Sequence, residues 1–389
     1  MKAFMGLFCL FLIVFDLRII GPVGSSVLAI VIMLIYSIFL KINIFENLIK
    51  VLTFYKYSIF IFMVICFFVV FRILVDSFQD YSYFLSMMKA TLILISSLIY
   101  IALFEKKDTL FYLFMIFFIN SLICFYFGTY PENKFIIKYF SYPVGDGSVE
   151  LIGANEYRNA FLAGSGYFGI AALYAFVFPV LLYYIVEQVN SNKYIYYIML
   201  FVIACAGLMA GRVALLCYFI SLITFLVFYR KISIIFYIAI GSFIFINIVN
   251  NVDELEFFKL WFLNLYSEGG RESSTIQELK TMFYMPDELT FLFGDGKFKG
   301  EFGGYYGSTD VGYMRNILFG GIFFCFFVIL FIFSILFKSN KFFLIVTLSF
   351  IALLLHGKGL FIINNPGFLP IILLSIYYSQ KYVSYKALK

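Results

Sequence analysis

Charge is what this sequence has least of. Only 13% of its 389 residues are Asp, Glu, Lys or Arg, while 63% are hydrophobic, with a mean hydropathy of +1.00. A soluble domain carries about 25% charged residues. A chain this poor in charge has too little polar surface to coat a water-soluble globule, so lipid must solvate its exterior. Histidine is reduced to one residue, His356, and the six cysteines form no CxxC pair and no Cys/His spacing suited to a metal. Zinc hydrolysis loses further ground because H-E-x-x-H is missing. No Walker A run and no G-x-S-x-G elbow occurs, which removes nucleotide hydrolysis and serine-esterase chemistry. Internal repeats and low-complexity tracts are also lacking.

What remains is a succession of long apolar stretches. A helix needs roughly 20 residues to span the hydrocarbon core. On that basis spans are expected near 3–20, 23–40, 57–75, 83–104, 109–127, 162–186, 194–211, 213–229, 232–250, 312–337, 342–357 and 362–379. The expected fold is an all-α polytopic membrane protein of about 12 transmembrane helices, a single integral membrane domain over 1–389. The first stretch lacks a small-residue cleavage site and reads as a retained helix. At Gly211–Arg212 the pattern admits either a tight hairpin or one kinked span.

Short loops rich in basic residues mark the cytoplasmic side. Lys41, Lys50, Lys56, Lys106, Lys107, Lys193, Arg230, Lys231, Lys338 and Lys341 fall in one set of loops, together with the terminal Lys2 and Lys389. Both termini are therefore expected in the cytoplasm. Two much longer loops, about 128–161 and 251–311, then lie outside, and long loops in compact proteins are commonly functional. Segments Asp253–Leu265 and Ser273–Phe283 of the second loop have the pattern of short interfacial helices.

Charged residues near membrane depth are costly and mark function. Arg212 separates two apolar runs; an arginine merely reaching to headgroups is the plain alternative. Arg158 sits in NEYRNAFLAGSGYFG, where Gly164, Gly166 and Gly169 suit either close approach to a ligand or helix packing. Arg315 lies in STDVGYMRNILFGG, behind Asp310. With a helix starting at Ser308 or Thr309, Asp310 would occupy the first turn and Arg315 would lie one to two turns inside. Three arginines on one side point to an anion, because a guanidinium offers two parallel hydrogen bonds to phosphate and stays charged when buried. His356 stands beside Gly357 and Gly359, an expected break in its helix. A satisfied core histidine is the commoner role for such a residue.

Taken together, these residues resemble the O-antigen and capsular polysaccharide polymerases of the Wzy type and their relatives, the O-antigen ligases. Arg158 and Gly169 match an Arg-x10-Gly pattern. Gly294–Gly296, then Ser308–Arg315 and Gly320–Gly321, are similar to the family's stretch leading out of the second loop, and Ala206–Arg212 to its membrane-edge arginine. The second loop departs from the pattern: eleven residues after Arg271 stands Met282.

The resemblance implies a membrane glycosyltransferase in a bacterial inner membrane that polymerises lipid-linked repeats. The growing glycan passes from undecaprenyl diphosphate to the next lipid-linked oligosaccharide, without metal, nucleotide or other cofactor, and without a nucleic-acid partner. The resemblance also suggests a chain-length regulator as a partner. Arg158, Arg212, Arg315, Tyr313 and Gly169 are the expected substrate-binding residues. His356, Asp310 and Glu156 are the expected candidates for the base that takes the acceptor proton. A ligase, or a flippase of lipid-linked oligosaccharide, is the alternative. The ligase reading is weakened by the lack of a histidine in the large loop, the flippase reading by the lack of repeated halves.

Overall fold

A computed structural model describes residues 2–20, 23–75, 80–104, 109–142, 161–187, 193–232, 280–300, 304–359 and 361–387, with isolated positions between 241 and 259. Most of the expected ninth span, Glu156, Arg158, Arg271 and nearly all of the two expected interfacial helices lie outside the described residues.

The protein is helical. The described helices are α1 (Lys2–Phe15), α2 (Ser25–Phe39), α3 (Ile44–Phe54), α4 (Lys56–Val75), α5 (Ser82–Leu103), α6 (Thr109–Thr129), α7 (Tyr167–Glu187), α8 (Lys193–Ala210), α9 (Val213–Tyr229), α10 (Glu288–Phe293), α11 (Gly312–Leu336), α12 (Phe342–Lys358), α13 (Phe361–Asn364) and α14 (Phe368–Ala387). One small antiparallel hairpin, Arg18–Ile20 with Val23–Gly24, follows α1. Among the described residues α4, α5, α6, α7 and α11 are long and apolar enough to cross a membrane. At 1.5 Å per residue, the 20 residues of α4 reach about 30 Å. Large apolar side chains point outward where water would penalise them: Phe39 is 80% exposed and Leu74 78%. Such a surface suits acyl chains.

Several expected boundaries shift for local reasons. The first span stops at Phe15 rather than 20, because Asp16 takes a left-handed φ of 37° and the chain turns into the hairpin. The stretch 41–56 holds α3, whose entry is capped by Asn43 Oδ1 accepting from the Glu46 amide and whose surface carries a Glu46–Lys50 pair. The last expected span is interrupted: α13 ends at Asn364, and Pro366 and Gly367 intervene before α14.

The chain divides into two compact units. The first holds 1–25, 106–271 and 341–351; the second holds 26–105, 272–340 and 352–389. In the first, α7 is the core helix, buried continuously from Gly169 to Ile185, as its all-round apolar sequence requires. α6, α8 and α9 pack on it. The Gly211–Arg212 junction is a hairpin. A side-chain carbon at Gly207 would overlap the Tyr218 hydroxyl, whereas eleven residues of continuous helix would separate these positions by about 16 Å. In the second unit α11 packs on α4, α10 and α14, and α5 packs on α3 and α14. Two tyrosine hydroxyls tie this unit together: Tyr55 donates to the Leu373 carbonyl at 2.7 Å and Tyr378 to the Phe104 carbonyl at 3.1 Å.

Candidate functional site

The described residues of the second unit include a cluster of polar contacts built around a break in α11. Gly321 sits inside that helix at φ 77°, ψ 180°, a conformation open to glycine alone. Gly294 adopts a nearly identical one, φ 71°, ψ 168°, and the two meet back to back. A side chain at Gly294 would overlap the backbone of Phe319–Gly321, and one at Gly321 would overlap the Leu292 carbonyl. At the break the Asp295 amide donates to the Leu318 carbonyl at 2.7 Å, and the Gly296 amide to the Phe319 carbonyl at 3.1 Å. The Gly-Asp-Gly run and the Gly-Gly pair are thus two halves of one joint, which explains their common presence in physical terms.

Side chains then fix the segment beyond the joint. Asp295 accepts from the Thr290 hydroxyl at 2.7 Å and from Tyr306 at 2.9 Å. Arg72 of α4 donates to the Gly294 carbonyl at 3.1 Å. Asp80, just before α5, accepts from the amides of Phe298 and Lys299, both at 2.7 Å, and from the Ser82 amide at 2.9 Å. Partial burial pushes the Asp80 carboxyl up, but the hydrogen bonds from Lys299, Ser82 and Phe298 outweigh it and hold the carboxyl below its ordinary value. Its contribution to stability is therefore complete above about pH 4 and is lost as acid carries the pH down through the lowered folded-state value. Asp80→Ala leaves the partly buried Phe298 amide without its acceptor. It should cost about 1–3 kcal/mol and expose the 294–300 segment to protease at neutral pH. Cleavage no faster than in the wild type would show that Asp80 does not hold this segment.

The fixed segment covers Arg315. The guanidinium carbon lies 3.6 Å from the ring centre of Tyr305 and 4.2 Å from that of Phe298. Phe298 itself stands edge-on to Tyr83, which stacks on Phe319. These contacts are cation–π in kind and hold the planar group in one orientation. Arg315 is 4% exposed, and among the described residues its Nε and Nη2 have no hydrogen-bond partner. Those two nitrogens form one edge of the guanidinium, the edge that grips a carboxylate or phosphoryl group with two parallel bonds. A buried, charged and half-unpaired donor is expensive unless an anion completes it.

Around Arg315 stand other expected site residues. Asp310 is exposed and within electrostatic reach of the guanidinium. Partial desolvation of its carboxyl raises it above the ordinary range, while Arg315 and Lys358 pull it back. Asp310 precedes α11, which begins at Gly312 with Val311 at its cap, so it does not occupy the helix's first turn as expected. The Thr309 hydroxyl serves the Val311 amide instead. Arg315 lies about one turn into the helix. Tyr313 donates to the Leu353 carbonyl at 2.8 Å and places its ring edge-on to His356, 4.7 Å between centres. His356 is inside the last turn of a continuous α12, not at a break; the chain departs from helix only at Gly359. It is 1% exposed. Asn316 Nδ2 lies 2.9 Å from its Nε2, and Tyr83 donates to Asn316 Oδ1 at 2.8 Å. Gly312 lets α11 approach the carbonyls of His356 and Gly359, where a side chain would overlap both.

Arg212 and Gly169 belong to the first unit. Arg212 is exposed at the α8–α9 turn; Gly169 is buried in the first turn of α7. Gly164 approaches the backbone of Asp16 and the Tyr142 ring, and its amide donates to the Phe15 carbonyl at 2.8 Å, which is a packing role. Sequence reasoning passed over Asp80, Tyr83, Phe298, Tyr305 and Asn316. Asn316 had a usable signal, a polar residue next to Arg315 in an apolar helix. The aromatic residues had none in a chain with 55 Phe and 31 Tyr.

Fold and site define a class: a helical protein with bilayer-length apolar helices and a buried arginine presenting an open bidentate edge. Comparisons with protein-family models, curated proteins and solved structures found no match.

Proposed function

We propose that this chain is a glycosyltransferase of the O-antigen or capsular polymerase type, acting on glycans carried by undecaprenyl diphosphate. In this reading the chain crosses a bacterial inner membrane about twelve times. Its termini are cytoplasmic, and loops 128–161 and 251–311 lie outside. The observation that carries it is the open Nε/Nη2 edge of Arg315, at 4% exposure beneath Tyr305 and Phe298. A leaving diphosphate needs cationic donors as charge develops on it, and a fixed guanidinium supplies them with little reorganisation. The lipid-linked donor is already activated, so no ATP is required. The sequence resemblance adds Arg158 and Arg212 as further candidate substrate-binding residues.

The acceptor hydroxyl loses its proton as the glycosidic bond forms, and the bond from the anomeric carbon to the diphosphate oxygen breaks. Asp310 suits the task of base: it is exposed, and its raised carboxyl lies closer to neutrality than an ordinary aspartate. Purified protein in liposomes, given lipid-linked repeat units, should produce a ladder of lengthening glycans without metal or nucleotide. Single transfer to a different acceptor would make it a ligase, and movement of the lipid between leaflets without new bonds would make it a flippase.

A further inference from the structure

Two buried side chains near the head of α11 carry nitrogens without a hydrogen-bond partner among the described residues: Arg315, discussed above, and His356, at its Nδ1. The state of that Nδ1 is decided by the other end of the ring. Tyr83 is fully buried, and the single hydrogen bond described for its hydroxyl is the one it donates to Asn316 Oδ1, at 2.8 Å. With Oδ1 engaged, the side of Asn316 that faces His356 is its NH2 group, 2.9 Å from Nε2. An NH2 group can only donate, so Nε2 must accept, and a neutral imidazole that accepts at one nitrogen carries its proton on the other. Turning the amide over is the worse arrangement. It would leave the Tyr83 proton without an acceptor in a dry site and the Nδ1 lone pair idle as well.

We propose that Tyr83 and Asn316 are positioning residues that fix the tautomer of His356, so that its Nδ1 offers a proton to an oxyanion and its Nε2 is unavailable as a base. The histidine then complements Arg315 as a neutral donor. The resting site contains no basic imidazole, which leaves proton removal to a carboxylate. The edge-on Tyr313 ring packs against the imidazole and opposes its turning over to exchange Nε2 for Nδ1. The tautomer assignment is independent of the polymerase reading; the donor role rests on the anion site proposed there.

The chain contains one histidine, so nitrogen-15 labelling of histidine gives one imidazole spectrum with nothing to subtract. In the detergent-solubilised full chain at neutral pH, Nδ1 should show a protonated, pyrrole-type resonance and Nε2 an unprotonated, pyridine-type one. The reverse pattern, or two protonated nitrogens, overturns the assignment. Asn316→Asp replaces the donor by an acceptor, so a proton should move to Nε2; an unchanged spectrum removes Asn316 from the role. Should that variant fail to fold, Tyr83→Phe releases the amide, and a mixture of tautomers is expected in place of one. A spectrum identical to that of the wild type also overturns the proposal. Addition of a short prenyl diphosphate should shift the Nδ1 resonance. Its failure to do so refutes the donor role while leaving the tautomer result, and any ladder formed in the polymerisation assay, standing on their own.

Discussion

Replacing Arg315 with lysine should reduce polymerisation about a hundred- to a thousandfold, with the protein still folded. Lysine keeps the charge but not the geometry: an ammonium is a point charge on a flexible stem and has no Nε/Nη2 edge. The rings of Tyr305 and Phe298 flank a planar group in the wild type and would hold an ammonium poorly. Removal of one fixed donor from a developing oxyanion costs roughly 3–4 kcal/mol, which is that range of rates. The measurement is the initial rate of ladder formation, with chromatographic profile as the check on folding. A lysine variant of wild-type rate would take Arg315 out of the chemistry and leave a buried arginine with a structural purpose.

Gly321→Ala should unfold the second unit at markedly lower denaturant or temperature. Backbone strain at φ 77°, ψ 180° contributes about 1–3 kcal/mol. Overlap of the new methyl with the Leu292 carbonyl adds another ~1–3 kcal/mol, because the facing group is backbone and has nowhere to go. Gly166→Ala is the control. A side-chain carbon at Gly166 meets nothing within 4 Å, so stability should change little. Equal melting of the two variants would mean that the joint between Gly294 and Gly321 does not bear on stability.

Much of the helical layout was legible because it depends on composition alone. The run 213–229 was placed to the residue, since Arg212 and Arg230 bracket an unbroken apolar stretch. α3 was missed: its eleven residues are too few to span, and its amphipathic face competes with the reading of a charged loop. Within the site, Arg315, Asp310 and His356 stood out as charged or titratable groups in an apolar background. The supports that fix them did not stand out. Asp80 acts on amides 218 and 219 residues away, and no local pattern encodes a contact of that range. The expectation of a helix break beside His356 rested on Gly357 and Gly359. Glycine permits a break but does not force one, and α12 runs on to Lys358.

The joint in α11 also limits how this protein can be rebuilt. Because the Leu318 and Phe319 carbonyls take hydrogen bonds from Asp295 and Gly296, the 294–300 segment and the apolar helix share one set of backbone hydrogen bonds. Cutting out residues 287–300 would strand the carbonyls of two buried residues in an apolar helix, where water cannot answer them. A chimaera that grafts a foreign loop onto this helix inherits the same debt unless it also carries the matching glycines. The heritable module is therefore the loop together with the helical turn at 318–321, and the natural points of exchange lie on either side of that pair rather than at the membrane surface.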